Sequence, residues 1–157
     1  MSNAKDFMNE AVELSLKAIE QNEGGPFGCV VVKDGKIIAR GNNKVTSSND
    51  PTAHAEVVAI REACKNLNSF QLTGCEIYTS CEPCPMCLGA IYWARPEAVY
   101  YANTRKDAAD IGFDDAFIYD EIPVDPSERK LKMIHLPHQR ASEIFDAWKN
   151  KTDKTEY

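Results

Sequence analysis

Two short segments of this chain combine residue types that bind a metal ion with one that moves protons. In the first, one alanine separates His54 from Glu56; in the second, two residues separate Cys84 from Cys87, and a proline precedes Cys84. Imidazole nitrogen and thiolate sulfur are preferred ligands of zinc, and a zinc site with three protein ligands keeps a fourth position for water. We therefore predict that His54, Cys84 and Cys87 bind one zinc ion per chain and that Glu56 acts on the water.

The same cysteines also fit a structural zinc site. Cys81, Cys84 and Cys87 form two overlapping C-x-x-C pairs, and a closed structural site needs a fourth protein ligand, which Cys81 offers. On this alternative the protein would be a non-catalytic, zinc-stabilised binding module. The glutamate two residues after His54 and the proline before Cys84 favour the catalytic interpretation.

The complete pattern, H-x-E followed by P-C-x-x-C, is typical of zinc-dependent deaminases of nucleobases. Zinc lowers the pKa of a bound water from about 15.7 to roughly 7 and so supplies hydroxide at neutral pH. Hydroxide adds to the ring carbon that bears the amino group, a ring nitrogen gains a proton, and ammonia leaves with another. One carboxyl group can act first as base and then as acid, and we assign both transfers to Glu56 as the proton shuttle.

The elements that position these residues follow from apolar periodicity and turn residues. They are, in chain order, a helix over 5–21, two strands over 29–32 and 37–39 joined by Asp34-Gly35, a loop over 42–52, a helix over 53–67, a strand over 76–79, a helix from Pro83 or Cys84 to Arg95, a strand over 98–102, a helical stretch over 106–121, a strand over 132–136 and a helix over 141–150. Both metal-binding segments fall at predicted helix N-termini, where the helix dipole favours thiolate. Alternating strands and helices predict an α/β fold with three layers, α/β/α, around a central mixed sheet.

Composition narrows the class of protein. The 157 residues are enough to form one domain over 1–157. The chain has 24 acidic and 18 basic residues, a net charge of −6. This negative charge favours a small uncharged substrate over nucleic acid. No run of about 18 apolar residues is present, so no membrane association is expected. Without a signal-peptide pattern at the N-terminus we expect a cytoplasmic protein with reduced cysteines. The Ser2-Asn3-Ala4 tripeptide is set aside as a cloning remnant.

Nearly the whole chain resembles the cytidine-deaminase-like superfamily and, within it, the bacterial guanine deaminases. The matching stretches are 25–28, 42–43, 50–56, 78–96, 112–119 and 156–157. The zinc motifs identify only the superfamily, whereas the stretches after Trp93 carry the resemblance to guanine deaminases. The resemblance implies a cytidine-deaminase-like fold and the hydrolysis of guanine to xanthine and ammonia, a step of guanine catabolism.

The resemblance also implies which residues contact the purine. Asn43 would hydrogen-bond the base, Phe27 would pack against its plane, Ala55 and Trp93 would line the pocket, and Asp115, or Asp114 if the alignment slips by one, would accept from ring N–H groups. Each has a structural alternative: Phe27 and Trp93 as core residues, Asn43 as a turn residue, and the aspartates as helix caps.

The resemblance extends to assembly. Family members form domain-swapped homodimers, so the tail over 151–157 would cross to the partner subunit and Tyr157 would cap the partner's active site. Alternative substrates within the superfamily are cytosine, a triazine and adenine in tRNA. Against the last, tRNA adenosine deaminases usually carry a Lys-Thr-Gly-rich loop where this chain has Asn103-Thr104-Arg105-Lys106-Asp107.

Overall fold

The computed structural model describes residues 3–157, and Met1 and Ser2 lie outside it. The chain divides into two compact units, of which the first ends at Asp115 and the second spans Ala116–Tyr157. Of the tripeptide that was set aside, Asn3 has a structural role: its side chain accepts from the N–H groups of Lys5 and Asp6 and caps the first helix. Across residues 3–157, none of the helices has the length and apolarity needed to cross a membrane.

Helices and strands alternate in the first unit. Its elements are α1 (Ala4–Glu20), β1 (Gly28–Lys33), β2 (Lys36–Asn42), α2 (Val45–Ser48), α3 (Ala55–Leu67), β3 (Cys75–Cys81), α4 (Pro85–Ala94), β4 (Ala98–Asn103) and α5 (Arg105–Asp110). The second unit contains α6 (Ala116–Glu121), a 3-10 turn (Pro126–Glu128) and α7 (Gln139–Asn150).

The described strands form one mixed sheet in the order β2-β1-β3-β4. Strand β1 runs antiparallel to both β2 and β3, whereas β3 and β4 are parallel. The predicted hairpin between β1 and β2 is present. Its two turn residues, Asp34 and Gly35, both have positive φ angles, of 50° and 72°, which matches the right-handed twist of the strands that they join.

Alternating residues of β1 face two separate cores. Val31 belongs to a core that includes Ala55 of α3 and Ile91 of α4, whereas Val30 belongs to a second core with Phe7 of α1. Neighbouring strand residues point to opposite faces of a sheet, so α1 covers one face and α3 with α4 cover the other. The predicted three-layer α/β/α arrangement with a mixed sheet is therefore confirmed.

Three element predictions were wrong in detail. Residues 132–136 form no strand, because the second unit contains no described strand with which this segment could pair. The predicted loop over 42–52 includes the short helix α2. The helical stretch over 106–121 is interrupted, because α5 ends before Gly112, whose φ of 97° is incompatible with a continuing helix.

Helix α3 approaches the sheet closely at Gly41. A Cβ atom on Gly41 would lie 2.4 Å from the carbonyl oxygen of Ala55 and 2.6 Å from the backbone nitrogen of Ala59. Both neighbours are backbone atoms, which cannot move aside by changing a rotamer. The missing side chain of Gly41 therefore sets the distance between β2 and the start of α3.

We expect Gly41→Ala to lower the free energy of unfolding by about 1–3 kcal/mol or more, because the added methyl group overpacks rigid backbone. Gly89→Ala is the matched control, since a Cβ there meets no atom within 4 Å. That change should leave stability unchanged or raise it by up to about 1 kcal/mol, because alanine is the better helix former. Urea unfolding of both variants measures the difference, and equal stabilities would contradict the close-approach argument.

Candidate metal centre and active site

Two helices begin at the same place, and their first residues carry the predicted metal ligands. His54 is the N-cap of α3 and Cys84 is the N-cap of α4, both with extended backbone and with no hydrogen bond from the side chain to the helix. Cys87 lies in the first turn of α4. Pro85 occupies the first position of that helix, where its missing N–H costs nothing. The cap positions thus leave both side chains available to a ligand.

The three ligand atoms are spaced as a tetrahedral zinc ion requires. His54 Nδ1 lies 3.5 Å from the Sγ atoms of both Cys84 and Cys87, and all three ligand atoms lie within 4.8 Å of one another. Bonds of about 2.0 Å to nitrogen and about 2.3 Å to sulfur at a tetrahedral angle separate N from S by about 3.5 Å. The residues therefore fit zinc, with Nδ1 as the histidine ligand atom, a choice that the sequence left open.

Electrostatics within the ligand cluster favour one thiolate. A hydrogen bond from the Cys87 thiol, aided by one from His54, lowers the pKa of Cys84 to about 4. The same pairing and burial raise the pKa of Cys87. The hydrogen bond to Cys84 raises the pKa of His54. Thiolate is the metal-binding form of cysteine, so Cys84 is ready to bind a cation at neutral pH.

Cys81, the fourth ligand of the structural alternative, does not join this group among the described residues. It is buried, and its thiol donates to the carbonyl oxygen of Thr104 at 3.7 Å. Burial, with a smaller contribution from Glu56, raises the pKa of Cys81 to about 11, so it stays a neutral thiol. The arrangement therefore has three protein ligands, which is typical of a catalytic zinc site.

Glu56 is a buried carboxyl group beside the ligand cluster. Its side chain is 5% exposed. One oxygen, Oε1, accepts a hydrogen bond of 2.8 Å from Thr79, and the other, Oε2, lies 3.3 Å from Cys87 Sγ. Burial raises the pKa of Glu56, which brings a carboxyl group closer to the range in which it both takes and gives protons. This position suits a proton shuttle.

Three of the predicted substrate contacts, Phe27, Ala55 and Asp115, lie in the first unit together with the ligand cluster. Phe27 packs against the core next to α3 and makes an edge-to-face contact with Phe113, with ring centroids 5.0 Å apart. Ala55 is the first residue of α3, so its N–H lacks an intrahelical acceptor. Burial and the negative charge of Cys84 raise the pKa of Asp115, which places its carboxyl group within electrostatic reach of the metal ligands.

The carboxamide of Asn43 has a fixed orientation. Its Oδ1 accepts from the N–H of Val45 at 3.0 Å, and its side chain is buried. Because a backbone N–H can only donate, the oxygen must face Val45 and the NH₂ group must point away from it. A Cβ on Gly24 would lie 2.0 Å from Oδ1, so the carboxamide also depends on a neighbour without a side chain. Asn43 thus stabilises a turn, and its NH₂ is directed elsewhere.

The two remaining predicted contacts lie on exposed surface. Trp93 in α4 is 62% exposed, which excludes its alternative role as a core residue, and Tyr157 in the second unit is 70% exposed.

The sequence analysis did not select Phe113, which contacts Phe27, or Thr79, which contacts Glu56, as residues of the site. A signal for Thr79 existed, because it is a polar residue in a buried strand, on the face occupied by Ile77.

Residues 1–103 match the family described as the cytidine and deoxycytidylate deaminase zinc-binding region. The chain belongs to this family of zinc-binding deaminases. It is 56% identical over 155 residues to the guanine deaminase of Bacillus subtilis (strain 168), with 99% of each chain covered. An X-ray structure of guanine deaminase from Bacillus subtilis, 55% identical, has a TM-score of 0.96 and also covers 99% of each chain.

A second class of relative is more distant. The tRNA-specific adenosine deaminase of Aquifex aeolicus (strain VF5) is 34% identical over 145 residues, which cover 92% of this chain and 93% of the relative. The predicted resemblance to bacterial guanine deaminase and the cytidine-deaminase-like fold are confirmed by these similarities, and the protein is a deaminase rather than a non-catalytic binding module.

We expect Cys81→Ser to retain zinc and Cys87→Ser to lose it, because only the second change removes one of the three clustered ligand atoms. Metal analysis of the purified variants measures zinc per chain. The two substitutions remove the same sulfur atom from two buried positions, so each is a control for the other. Loss of zinc from both variants would support the closed four-ligand site.

Proposed function

We propose that the protein catalyses the hydrolytic deamination of guanine to xanthine and ammonia. The observation that carries this proposal is a buried glutamate beside a three-ligand metal cluster in a chain 56% identical to a guanine deaminase over almost its full length. The three-ligand cluster supports an open fourth position, and the buried carboxyl group supports proton transfer at that position.

The metal in this proposal is one zinc ion per chain, held by His54 Nδ1 and the sulfurs of Cys84 and Cys87. When bound, zinc supplies a Lewis acid that brings the pKa of a bound water down to roughly 7. The cluster has the nitrogen and sulfur donors and the spacing that zinc prefers. Its position at two helix N-termini adds a positive potential that stabilises the thiolates.

Glu56 moves the protons. Its Oε2 takes a proton from the attacking water and delivers it to the ring nitrogen. It then takes the proton of the hydroxyl group now bonded to the ring carbon and delivers it to the amino group, which leaves as ammonia while the carbonyl group forms. Burial raises the pKa of Glu56 and so brings the carboxyl group closer to the range in which it can both take up and release a proton. The burial also keeps bulk water away from the carboxyl group.

The base is held by residues around the cluster. Asn43 donates its NH₂ group to a ring acceptor, the N–H of Ala55 donates to the base, Phe27 packs against the ring plane, and Asp115 accepts from ring N–H groups. Asp114 is the alternative to Asp115. Trp93 lines the pocket mouth, which is consistent with its exposure of 62%.

The assembly is a homodimer in which the tail over 151–157 crosses to the partner subunit and Tyr157 caps the partner's site. Exposed apolar side chains support an assembly. In the second unit, Phe145 is 80% exposed and Leu136 is 85% exposed; in the first, Tyr92 of α4 is 74% exposed. Large apolar side chains exposed in such number are typical of a surface that another chain covers. In this proposal 1–157 act as one deaminase domain per chain.

The second candidate is deamination of another base, and the adenosine deaminase from Aquifex aeolicus makes adenine in tRNA the foremost of these. The net charge of −6 opposes tRNA binding, because nucleic-acid binders neutralise phosphates with basic residues. Cytosine and triazines remain alternatives of the same mechanism. A cytoplasmic location stays a prediction from the sequence.

Ammonia release tests the proposal on a panel of guanine, adenine, cytosine, guanosine, cytidine, ammeline and a tRNA anticodon stem. We expect turnover of guanine. The variant Glu56→Gln should have no turnover but should retain one zinc per chain, because glutamine keeps the shape of the side chain but cannot carry the proton. Turnover of only another base would contradict guanine as substrate, and substantial activity of Glu56→Gln would contradict the shuttle.

Removal of residues 154–157 should lower turnover, since the partner's Tyr157 no longer covers the base, while the thermal unfolding temperature stays close to that of the full chain. Light scattering of the full chain should give the mass of a dimer. A truncated protein with full activity would contradict the cap, and a monomeric full chain would exclude the swapped tail. Phe70→Ala changes an exposed aromatic side chain outside the tail, 58% accessible, and shows what the loss of a surface ring costs.

A further inference from the structure

A buried hydroxyl group contacts one carboxyl oxygen of the proposed proton shuttle, and a predicted metal ligand contacts the other. Thr79 in β3 is 0% exposed. Its Oγ1 donates to Glu56 Oε1 at 2.8 Å, and the carbonyl oxygen of Cys81 is a second acceptor at 3.1 Å. The ionised carboxylate, closer and charged, is the stronger acceptor of the single hydroxyl hydrogen.

The backbone of Thr79 is fixed by strand pairing on both sides. Strand β3 is interior, and Thr79 is paired with Cys29 of β1 on one side and Tyr101 of β4 on the other. Glu56 lies in the first turn of α3. The hydrogen bond therefore ties a side chain at the start of a helix to a fixed point of the sheet, and groups held on strands keep their geometry better than groups on loops.

The two oxygens of Glu56 have different surroundings. Oε1 accepts from the Thr79 hydroxyl, while Oε2 accepts from the thiol of Cys87, a predicted metal ligand, at 3.3 Å. Cys87 would bind a metal as thiolate and would then have no proton to donate, which would leave Oε2 free while Oε1 keeps its hydrogen bond. Rotation of the carboxyl group would break a charge-assisted hydrogen bond in a buried environment, where an unpaired polar group is costly. The orientation of the carboxyl group is thus set from the sheet.

We propose that Thr79 is a positioning residue of the deamination, which holds Glu56 so that Oε2 is the oxygen that exchanges protons with water and base. The inference rests on the proposed function of the same site. Thr79 touches neither substrate nor metal in this account. Its hydroxyl acts on the rate of the chemical step and leaves binding of the base to other residues.

The test compares variants of Thr79 in the zinc-loaded enzyme. Thr79→Val keeps the shape and removes the hydroxyl, so kcat for guanine should fall about 10- to 100-fold, the equivalent of one hydrogen bond to a charged group, while KM stays within about twofold. Thr79→Ser restores the hydroxyl and should recover most of kcat. An unchanged kcat in Thr79→Val, or equal losses in the Val and Ser variants, would overturn the proposal.

Ser80 supplies the matched control. It is the next residue of β3, 5% exposed, and its hydroxyl accepts from the N–H of Gly28 at 3.0 Å, so Ser80→Ala removes a buried hydroxyl that does not contact Glu56. We expect Ser80→Ala to lower stability but to retain kcat. A drop in kcat equal to that of Thr79→Val would assign the effect to general loosening of the sheet and would overturn the proposal.

Two further measurements separate this inference from the choice of substrate. If the wild-type enzyme deaminates a base other than guanine, the same comparison is made with that base. A crystal structure of Thr79→Val should have the Glu56 carboxyl group rotated away from its wild-type orientation, and an unchanged orientation would overturn the proposal whatever the substrate. If Thr79→Val does not fold, Thr79→Ala against Thr79→Ser makes the same comparison, because the two differ only by the hydroxyl.

Discussion

Two helices must begin at one point in space for this site to exist. The ligands come from the N-caps of α3 and α4 and from the first turn of α4, and the two N-caps are thirty positions apart in the chain. The sheet enforces the convergence. Gly41 lets α3 approach the strands closely, and α4 begins shortly after β3 ends. Because both helix dipoles point their positive ends at the same place, thiolates and a carboxylate gather there at a lower electrostatic cost than elsewhere.

Burial of the Glu56 carboxyl group is the main unfavourable interaction in this arrangement. Removing a charged group from water costs several kcal/mol, and the structure offsets that cost with the Thr79 hydroxyl at 2.8 Å and the nearby metal site. The same burial raises the pKa of Glu56 and so suits the carboxyl group to proton transfer. A carboxyl group exposed to solvent would be hydrated and would keep its ordinary pKa.

Local patterns predicted much of this molecule, and non-local contacts account for the rest. Asp34-Gly35 predicted the first hairpin because the turn depends only on neighbouring residues. The metal ligands were predicted because motif spacing and helix starts are also local. The strand over 132–136 failed because pairing requires a partner that composition cannot identify. The contact between Thr79 and Glu56 joins residues 23 positions apart, so only the folded chain reveals it.

Anomalous diffraction at the zinc edge, on crystals of the zinc-loaded protein, tests the central claim most directly. The account predicts one zinc ion per chain bonded to His54 Nδ1 and to the sulfurs of Cys84 and Cys87, with its fourth position unoccupied by protein and facing Glu56 Oε2. A zinc ion bonded to Cys81 as a fourth protein ligand, or to the Glu56 carboxylate itself, would contradict the account, because neither arrangement leaves both an open metal position and a free proton shuttle.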